Sequence, residues 1–304
     1  MAMKSELESK GAQEFSRLRK IVEDFMADYI FTKTRGAPSI LREAMEYSLM
    51  AGGKRLRPVL LLCAGNAVGG KEEELLPFAC AVEFVHTYSL VHDDLPAMDD
   101  DDFRRGKPTS HKVFGEGVAV LAGDALLTEA FRIMAESRMA SGDPGRAMRA
   151  IADVARAAGA EGMVGGQQMD LAAEKGDIAS ARAEEIGLRK TAALLASCAR
   201  VGAILGGAAQ AQIVALGKFG ARLGLLFQIT DDILDETAAF EEMGKGVGKD
   251  RIRGKRTYVV DYGLAAARER VDALAREALE SLADFGASAS SLRELVHTMQ
   301  SRRS

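Results

Sequence analysis

The stretch Phe227-Gln228-Ile229-Thr230-Asp231-Asp232-Ile233-Leu234-Asp235 ends a long apolar segment with three aspartates. At about 100° per residue, Asp231 and Asp235 lie one turn apart on one helix face, which Gln228 shares, while Asp232 points to one side. Carboxylates at the end of a buried helix are costly unless a partner neutralises them. The stretch therefore predicts a helix that ends at a cation site, with a solvated acidic helix end as the alternative.

A second aspartate-rich stretch, Leu90-Val91-His92-Asp93-Asp94-Leu95-Pro96-Ala97-Met98-Asp99, ends another apolar segment and continues into three more aspartates. Because Pro96 disfavours helical geometry at Leu95, we expect the helix to end near Asp94 and the chain to fold back until Asp99 rejoins Asp93. The glycine and the closing glutamate of an EF-hand are missing from this spacing. Carboxylate oxygens suit Mg²⁺, which commonly binds one or two of them together with substrate phosphates. A solvated acidic loop is the alternative.

The composition favours an all-α fold. Apolar residues make up 47% of the 304-residue chain, which contains six prolines and no tryptophan. We find no linker and no low-complexity tract, so we expect a single domain over residues 1–304. Segments with helical periodicity predict helices at 4–33, 39–51, 58–69, 72–94, 117–140, 145–158, 161–172, 178–205, 208–237, 257–285 and 288–302. Two glycine- and charge-rich segments, 95–116 and 238–256, are predicted to be functional loops.

Net charge and cysteine content give no indication of a nucleic-acid-binding, membrane-binding or disulfide-rich protein. The net charge of −4 gives no indication of nucleic-acid or membrane-surface binding. Cys63, Cys80 and Cys198 lie far apart in apolar stretches, as expected for buried thiols in a reducing compartment. The N-terminus lacks a signal-peptide core, and we expect no run of the ~20 apolar residues that span a bilayer. The sequence therefore predicts a soluble cytoplasmic protein.

Basic residues stand where a diphosphate site would need them. The stretch Gly52-Gly53-Lys54-Arg55-Leu56-Arg57-Pro58 places three cations at a helix N-terminus, where free N–H groups and the helix dipole favour anions. Arg104 and Arg105 follow the first aspartate stretch. Together they predict two anion sites, one bridged by Mg²⁺ and one built from Lys and Arg alone. His86 and Lys190-Thr191 lie within apolar helices, with a structural histidine and an exposed lysine as the alternatives.

Taken together, these stretches resemble the trans-prenyltransferases of the polyprenyl synthase family, most of all its bacterial farnesyl diphosphate synthases. The similarity runs from about residue 30 to the C-terminus. It rests on residues 52–58, 93–99, 104–109, 166–170 (with Gly166, Gln167 and Asp170), 190–191 and 227–235. The resemblance implies the isoprenoid synthase fold, a helical bundle around a central cavity. It also implies a homodimer and three Mg²⁺ ions per active site.

The resemblance implies a role for each matching residue. Metal ions would be bound by Asp93, Asp99 and Asp231, supported by Asp94, Asp232, Asp235 and Asp250. The allylic diphosphate would be held by Arg104, Lys190, Lys245 and Lys255. Isopentenyl diphosphate would be held by Gly53, Lys54, Arg57, His86 and Arg105. Members of the family often have proline after Lys-Thr-Tyr, whereas this chain reads Lys255-Arg256-Thr257-Tyr258-Val259, which leaves the role of Lys255 open.

The implied reaction joins isopentenyl diphosphate head to tail with dimethylallyl or geranyl diphosphate. The Lys190 carbonyl, the Thr191 hydroxyl and the Gln228 amide oxygen would stabilise the allylic cation. Tyr88, five residues before Asp93, would form the floor beneath the growing chain, beside the small Ser89, and would give farnesyl diphosphate. The alternatives are a geranylgeranyl or longer-chain synthase and a non-catalytic partner subunit. A terpene cyclase is a weaker alternative, because cyclases normally lack the second aspartate motif and the pair Lys54 and Arg57.

Overall fold

The computed structural model describes residues 2–174, 183–242 and 256–301. These residues are almost entirely helical, which confirms the predicted all-α class. The α-helices are α1 (Ala2–Lys33), α2 (Ser39–Leu49), α3 (Leu56–Asn66), α4 (Glu72–Asp93), α5 (Ser110–Phe114), α6 (Glu116–Ala135), α7 (Arg138–Gly142), α8 (Pro144–Ala158), α9 (Met163–Glu174), α10 (Ala183–Gly187), α11 (Ala193–Leu205), α12 (Gln210–Glu242), α13 (Tyr258–Tyr262), α14 (Leu264–Glu280) and α15 (Ser290–Ser301). A π-helical turn, Leu188–Ala192, joins α10 to α11, and a 3₁₀ segment, Ala283–Ala289, precedes α15.

Two of the predicted helices are each divided in the structure. The segment predicted as 117–140 breaks after α6, because the Ser137 hydroxyl accepts a hydrogen bond from the Ala140 N–H at 3.1 Å and starts α7. The segment predicted as 257–285 breaks at Gly263. This residue has a φ of 84°, a backbone conformation that glycine adopts readily. Both breaks come from local backbone geometry, which cannot be predicted from the spacing of apolar residues.

The segment 95–116, predicted as a loop, contains secondary structure of its own. Strands β1 (Phe103–Arg104) and β2 (Lys107–Pro108) pair antiparallel, and α5 follows them. The turn between the strands uses Arg105 at φ 55° and Gly106 at φ 76°, the positive dihedrals of a tight hairpin. This hairpin brings Arg104 and Arg105 back over the end of α4.

The central helices pack closely enough to bring both aspartate stretches to one end of the bundle. Helix α4 packs against α3 and α6, while α11 packs against α3, α8 and α12. A Cβ atom on Gly202 of α11 would lie 2.2 Å from the Leu61 carbonyl oxygen of α3, so only glycine allows this approach. One cluster of buried apolar side chains extends from Leu18 in α1 to Met299 in α15. Whether the whole chain forms one domain stays a prediction.

The long apolar helix and the cysteines belong to this core. Within the described part of the chain, Gln210–Thr237 has the length and composition of a membrane span, contrary to our expectation, but 61% of its most apolar window is buried inside the protein. Cys63, Cys80 and Cys198 are buried, as predicted, and burial raises the pKa of Cys63 and of Cys198 to about 12. These thiols therefore act as apolar side chains.

Candidate active site

Helix α4, which ends at Asp93, and helix α12, which carries the second aspartate stretch, face each other across a cavity of about 750 Å³. The prediction that the second helix ends at its aspartates is wrong, because α12 continues to Glu242. Asp93 and Asp99 line it from the end of α4, and Asp231 and Asp235 line it from α12, as the sequence predicted. The basic residues around the same cavity are Lys54, Arg55, Arg57, Arg104, Arg105, Lys190 and Arg256. The cavity thus combines carboxylates and cations in the pattern expected for a diphosphate bound partly through metal ions.

The first aspartate stretch folds back as predicted. The backbone N–H of Asp99 donates to the Asp93 carbonyl at 2.7 Å, so the two residues become neighbours after the helix ends. Burial raises the pKa of Asp93 to about 6, against the opposing effect of Lys190 and with a further contribution from Asp99. The Asp93 carboxylate is therefore costly to ionise until a cation comes close.

Asp94 forms an ion pair with Arg104. Its carboxylate is buried and accepts two bonds from Arg104, from Nε at 2.7 Å and from Nη2 at 2.6 Å. Asp94 lines a small space behind the hairpin, which Arg104 shares, and not the charged cavity. Asp94 therefore holds the Arg104 guanidinium at the wall of the charged cavity, and its supporting role at the metal site stays a prediction.

In the second aspartate stretch, a chain of hydrogen bonds runs along the wall of the charged cavity. Thr191 Oγ1 donates to Gln228 Oε1 at 2.8 Å, and Gln228 Nε2 donates to Asp232 Oδ1 at 2.9 Å. The other Asp232 oxygen accepts the backbone N–H of Tyr258 at 2.8 Å. Each oxygen of Asp232 thus accepts a hydrogen bond within the protein, one of which positions Gln228. Asp232 also lines the charged cavity, and its supporting role at the metal site stays a prediction.

Lys190 and Thr191 lie in the π-helical turn, a feature that occurs frequently at functional sites. A Cβ atom on Gly166 of α9 would lie 2.2 Å from the Lys190 backbone nitrogen, so α9 touches the backbone of this turn directly. The Lys190 ammonium bonds the Asp170 carboxylate. The sequence predicted these two residues as functional, but the spacing of apolar residues does not predict the π-helical turn that contains them.

Arg57, in the first turn of α3, is strongly desolvated, whereas Lys54 is exposed. Arg57 Nε is buried without a hydrogen-bond partner among the described residues, and burial lowers the pKa of Arg57, against the opposing effect of Glu83. Burial, followed by the charges of Arg57 and Arg105, holds the pKa of His86 well below its usual range, so the imidazole is neutral at pH 7. An unmet buried donor of this kind is suited to an anion.

Arg105 lies against the same loop. Its guanidinium donates to the Gly52 carbonyl and occupies the space where a side chain on Gly53 would stand, 2.7 Å from the ideal Cβ position. Gly53 also adopts φ 123°, which few other residues reach. The predicted isopentenyl residues Gly53, Lys54, Arg57, His86 and Arg105 therefore meet at one wall of the cavity.

Arg55 was expected as a third cation of this anion site, but it is buried. Its side chain is 1% exposed and forms an ion pair with Glu83, which is 2% exposed, at 2.8 Å. Neither residue was given this role from the sequence. A signal was present nonetheless, because Glu83 is a lone carboxylate in the apolar middle of α4.

The carboxylates fit Mg²⁺ that is bound together with a diphosphate. Among the residues that the structure describes, no group of three or more His, Cys, Asp or Glu side chains is arranged to hold a metal ion. Mg²⁺ usually takes one or two carboxylates and completes its shell with phosphate oxygens and water. The adjacent Asp93 and Asp99, with the raised pKa of Asp93, meet that description. The predicted residues Lys245, Asp250 and Lys255 lie outside the described residues.

A second cavity, of about 570 Å³, adjoins the charged one. The residues that line both are Arg57, His86, Leu90, Asp93, Lys190 and Thr191. Its remaining wall is mostly apolar and includes Tyr88, Leu95, Met98, Met163 and Leu171, with Ser89 beside Tyr88. The Tyr88 ring meets the His92 ring edge-on at 5.8 Å, and His92 Nε2 lies 3.0 Å from the Val120 carbonyl of α6.

Gln167 is a further residue of this apolar cavity. Both polar atoms of its amide are buried without a hydrogen-bond partner among the described residues. It lies next to Gly166, which contacts the π-turn. Sequence reasoning named Gln167 only as part of a motif, because its unmet amide becomes visible only once α9 is packed.

Comparison with known proteins agrees with this geometry. The profile of the polyprenyl synthetase family matches residues 38–298. Farnesyl diphosphate synthase of Bacillus subtilis (strain 168) is 43% identical over 284 residues, which cover 93% of this chain and 95% of that protein. The heterodimeric geranylgeranyl pyrophosphate synthase large subunit 1 of Arabidopsis thaliana, a chloroplastic protein, is 49% identical over 278 residues, which cover 86% of this chain and 75% of that protein.

Solved structures show the same architecture. The geranyltransferase from Legionella pneumophila superposes with a TM-score of 0.85 at 31% identity, covering 97% of this chain and 98% of that one. An FPP/GFPP synthase from Zymomonas mobilis gives a TM-score of 0.82 at 34% identity, covering 96% of this chain and 99% of that one. The match of the profile, the relatives and the fold shows that this chain belongs to the polyprenyl synthetase family and is an all-α prenyltransferase.

Proposed function

We propose that this prenyltransferase condenses isopentenyl diphosphate with dimethylallyl and geranyl diphosphates and makes mainly farnesyl diphosphate. One observation carries the proposal: a charged cavity and an apolar cavity share a wall at Asp93, Lys190 and Thr191. An allylic diphosphate has a charged head and a hydrocarbon tail, so it fits across that wall with its reactive carbon at the junction.

The two anion sites differ in chemistry, which supports two different diphosphate substrates. Asp93, Asp99 and Asp231 face the head of the allylic substrate. Mg²⁺ bound there would supply the positive charge that stabilises the leaving diphosphate. Lys54 and Arg57 provide direct cationic contacts for isopentenyl diphosphate, and a guanidinium suits a phosphate through paired N–H donors.

Residues at the junction are suited to stabilising an allylic cation. The C1–O bond of the allylic substrate breaks and its electron pair leaves with the diphosphate. The Thr191 proton is directed to Gln228, so the Thr191 oxygen keeps its lone pairs for the positive carbon. The isopentenyl double bond then attacks C1, and the proton lost from the new chain passes to the released diphosphate. Excluding water protects the cation during these steps.

Product length is set by how far the apolar cavity extends. Tyr88 lies about 7.5 Å along the helix axis from Asp93, at 1.5 Å per residue. Its ring lines the apolar cavity and packs against His92. Close-packed side chains yield little, so a supported ring at this depth favours a farnesyl product. A geranylgeranyl product is the second candidate, because several of the similar plant proteins carry that name.

A product assay tests the proposal. Purified protein, Mg²⁺, isopentenyl diphosphate and either allylic starter should give mainly the C15 diphosphate by mass spectrometry. Tyr88→Ala should shift the products to C20 and longer, because the floor is removed. Ser89→Ala is the matched control on the same turn and should still give C15. A wild type that makes mainly C20 favours the second candidate, and a wild type without condensation activity contradicts the proposal. The homodimer, the three Mg²⁺ ions and the cytoplasmic location stay predictions from the sequence.

A further inference from the structure

Arg55 has a backbone conformation that needs support from its surroundings. It precedes α3 with φ 51° and ψ 36°, in the left-handed region that is unfavourable for residues with a side chain. Its neighbours in the chain include Lys54 and Arg57, the cations that line the charged cavity. The direction of the chain at Arg55 therefore decides where those two side chains point.

The Arg55 guanidinium supplies that support by reaching three helices. It donates to Glu83 of α4 at 2.8 Å, to the carbonyl of Leu49 at the end of α2 at 2.8 Å, and to Glu23 of α1 at 3.4 Å. A planar guanidinium holds several acceptors in one fixed arrangement, which an ammonium group does not do. One side chain thus links the loop between α2 and α3, residues 50–55, to α1, α2 and α4.

Glu83 also interacts electrostatically with two other arginines of the charged cavity, Arg57 and Arg105. Its charge opposes the effect of burial on the pKa of Arg57 and of Arg105. It lines the charged cavity one turn before His86. A buried carboxylate with this position reduces the mutual repulsion of the arginines while no diphosphate is present.

We propose that the ion pair between Arg55 and Glu83 is the positioning device of the isopentenyl diphosphate site, holding Lys54 and Arg57 in their binding geometry. The inference rests on the proposed function, since it assigns Lys54 and Arg57 to that substrate. Arg55 contacts no substrate in this account. It acts through the loop.

Arg55→Lys is the first test, because it keeps the charge and loses the guanidinium fork. The KM for isopentenyl diphosphate should rise about tenfold, as expected for a small misplacement of binding groups, while the KM for geranyl diphosphate stays within about twofold. Arg200→Met is the matched control. It removes another ion pair, with Asp153 at 2.8 Å, away from the two cavities, and should leave both KM values unchanged.

The double variant Arg55→Met with Glu83→Met separates positioning from stability. Removing both charges should restore part of the melting temperature lost in Arg55→Met alone, because the Glu83 carboxylate is no longer left buried without Arg55. The KM for isopentenyl diphosphate should nevertheless stay raised. Recovery of that KM together with the melting temperature, or equal increases in both KM values, overturns the inference.

Failure of the proposed function gives a different result. If the wild type makes no product, binding of isopentenyl diphosphate to the same variants is measured by calorimetry. Weaker binding to Arg55→Lys than to wild type supports the positioning role on its own, and unchanged binding overturns it.

Discussion

At the scale of single residues, Asp93 is a carboxyl group that the folded protein makes costly to ionise. Burial, with a contribution from Asp99, raises its pKa to about 6, whereas an unfolded chain ionises near 3.9. The folded protein therefore binds more protons than the unfolded chain between these values. Ionisation of this carboxyl therefore lowers the free energy of unfolding as the pH rises from about 4 to about 6. Above pH ~6 the protein stays less stable by that amount.

Asp93→Asn should for this reason stabilise the metal-free protein. At pH 7.5 in EDTA the free energy of unfolding should rise by roughly 1 to 3 kcal/mol, and the gain should vanish below pH ~4, where both side chains are neutral. Turnover with Mg²⁺ should fall by at least ~10³-fold, the scale of a lost electrostatic contribution. Urea denaturation at the two pH values measures the first effect. A variant less stable than wild type at pH 7.5 would mean that other groups already satisfy the carboxylate.

At the scale of secondary-structure elements, the contact between α9 and the π-turn orders the junction of the two cavities. Gly166 allows the helix backbone to meet Lys190, and the same helix carries Asp170, which bonds the Lys190 ammonium. A glycine at this position thus fixes where the backbone of Lys190 lies, and we expect it to fix the position of Thr191 against a substrate. The apolar pattern of either segment alone does not contain that information.

Gly166→Ala should separate α9 from the turn. The added methyl group would overlap the Lys190 backbone, which on average costs about 1 to 3 kcal/mol in overpacking. We expect kcat to fall by ~10²-fold, because Lys190 and Thr191 shift against the substrate. Gly145→Ala in α8 is the control, since its Cβ meets nothing nearer than the Asp143 carboxylate at 3.7 Å. Wild-type kcat in Gly166→Ala would show that the turn does not depend on α9.

At the scale of the whole molecule, we expect the binding of metal and the binding of diphosphate to depend on each other. The carboxylates come from two helices, and no group of three such residues within the described ranges forms a ready metal site. A diphosphate must therefore contribute oxygen atoms before Mg²⁺ is well bound. In the same way, we expect the carboxylates of Asp93 and Asp231 to repel a diphosphate that arrives without Mg²⁺.

Melting temperatures test this coupling. Mg²⁺ alone and inorganic diphosphate alone should each raise the melting temperature only slightly, whereas the two together should raise it by more than the sum, because only the complex binds tightly. EDTA should abolish the combined effect and all prenyl transfer. A full shift with Mg²⁺ alone would show that the carboxylates bind metal unaided and would contradict the coupled site.

The sequence alone determined the helical class, the two apolar helices that carry the aspartate stretches and their meeting across a cavity. It did so because apolar periodicity decides which helix face is buried, and carboxylates on such a face are costly unless a shared cavity supplies cations. The fold-back that brings Asp99 to Asp93 was predictable for a similar local reason, since Pro96 ends the helix.

The partner of each charged side chain was decided only by the tertiary structure. Asp94 turns to Arg104 on the hairpin, Asp232 turns to the Tyr258 N–H, and Arg55 turns to Glu83 in the core. In each case a neighbouring element supplies the competing donor or acceptor, at a sequence distance of 10, 26 or 28 residues. A pattern along one helix identifies a charge that needs a partner, but which partner it meets depends on how the helices, the hairpin and the π-turn pack together.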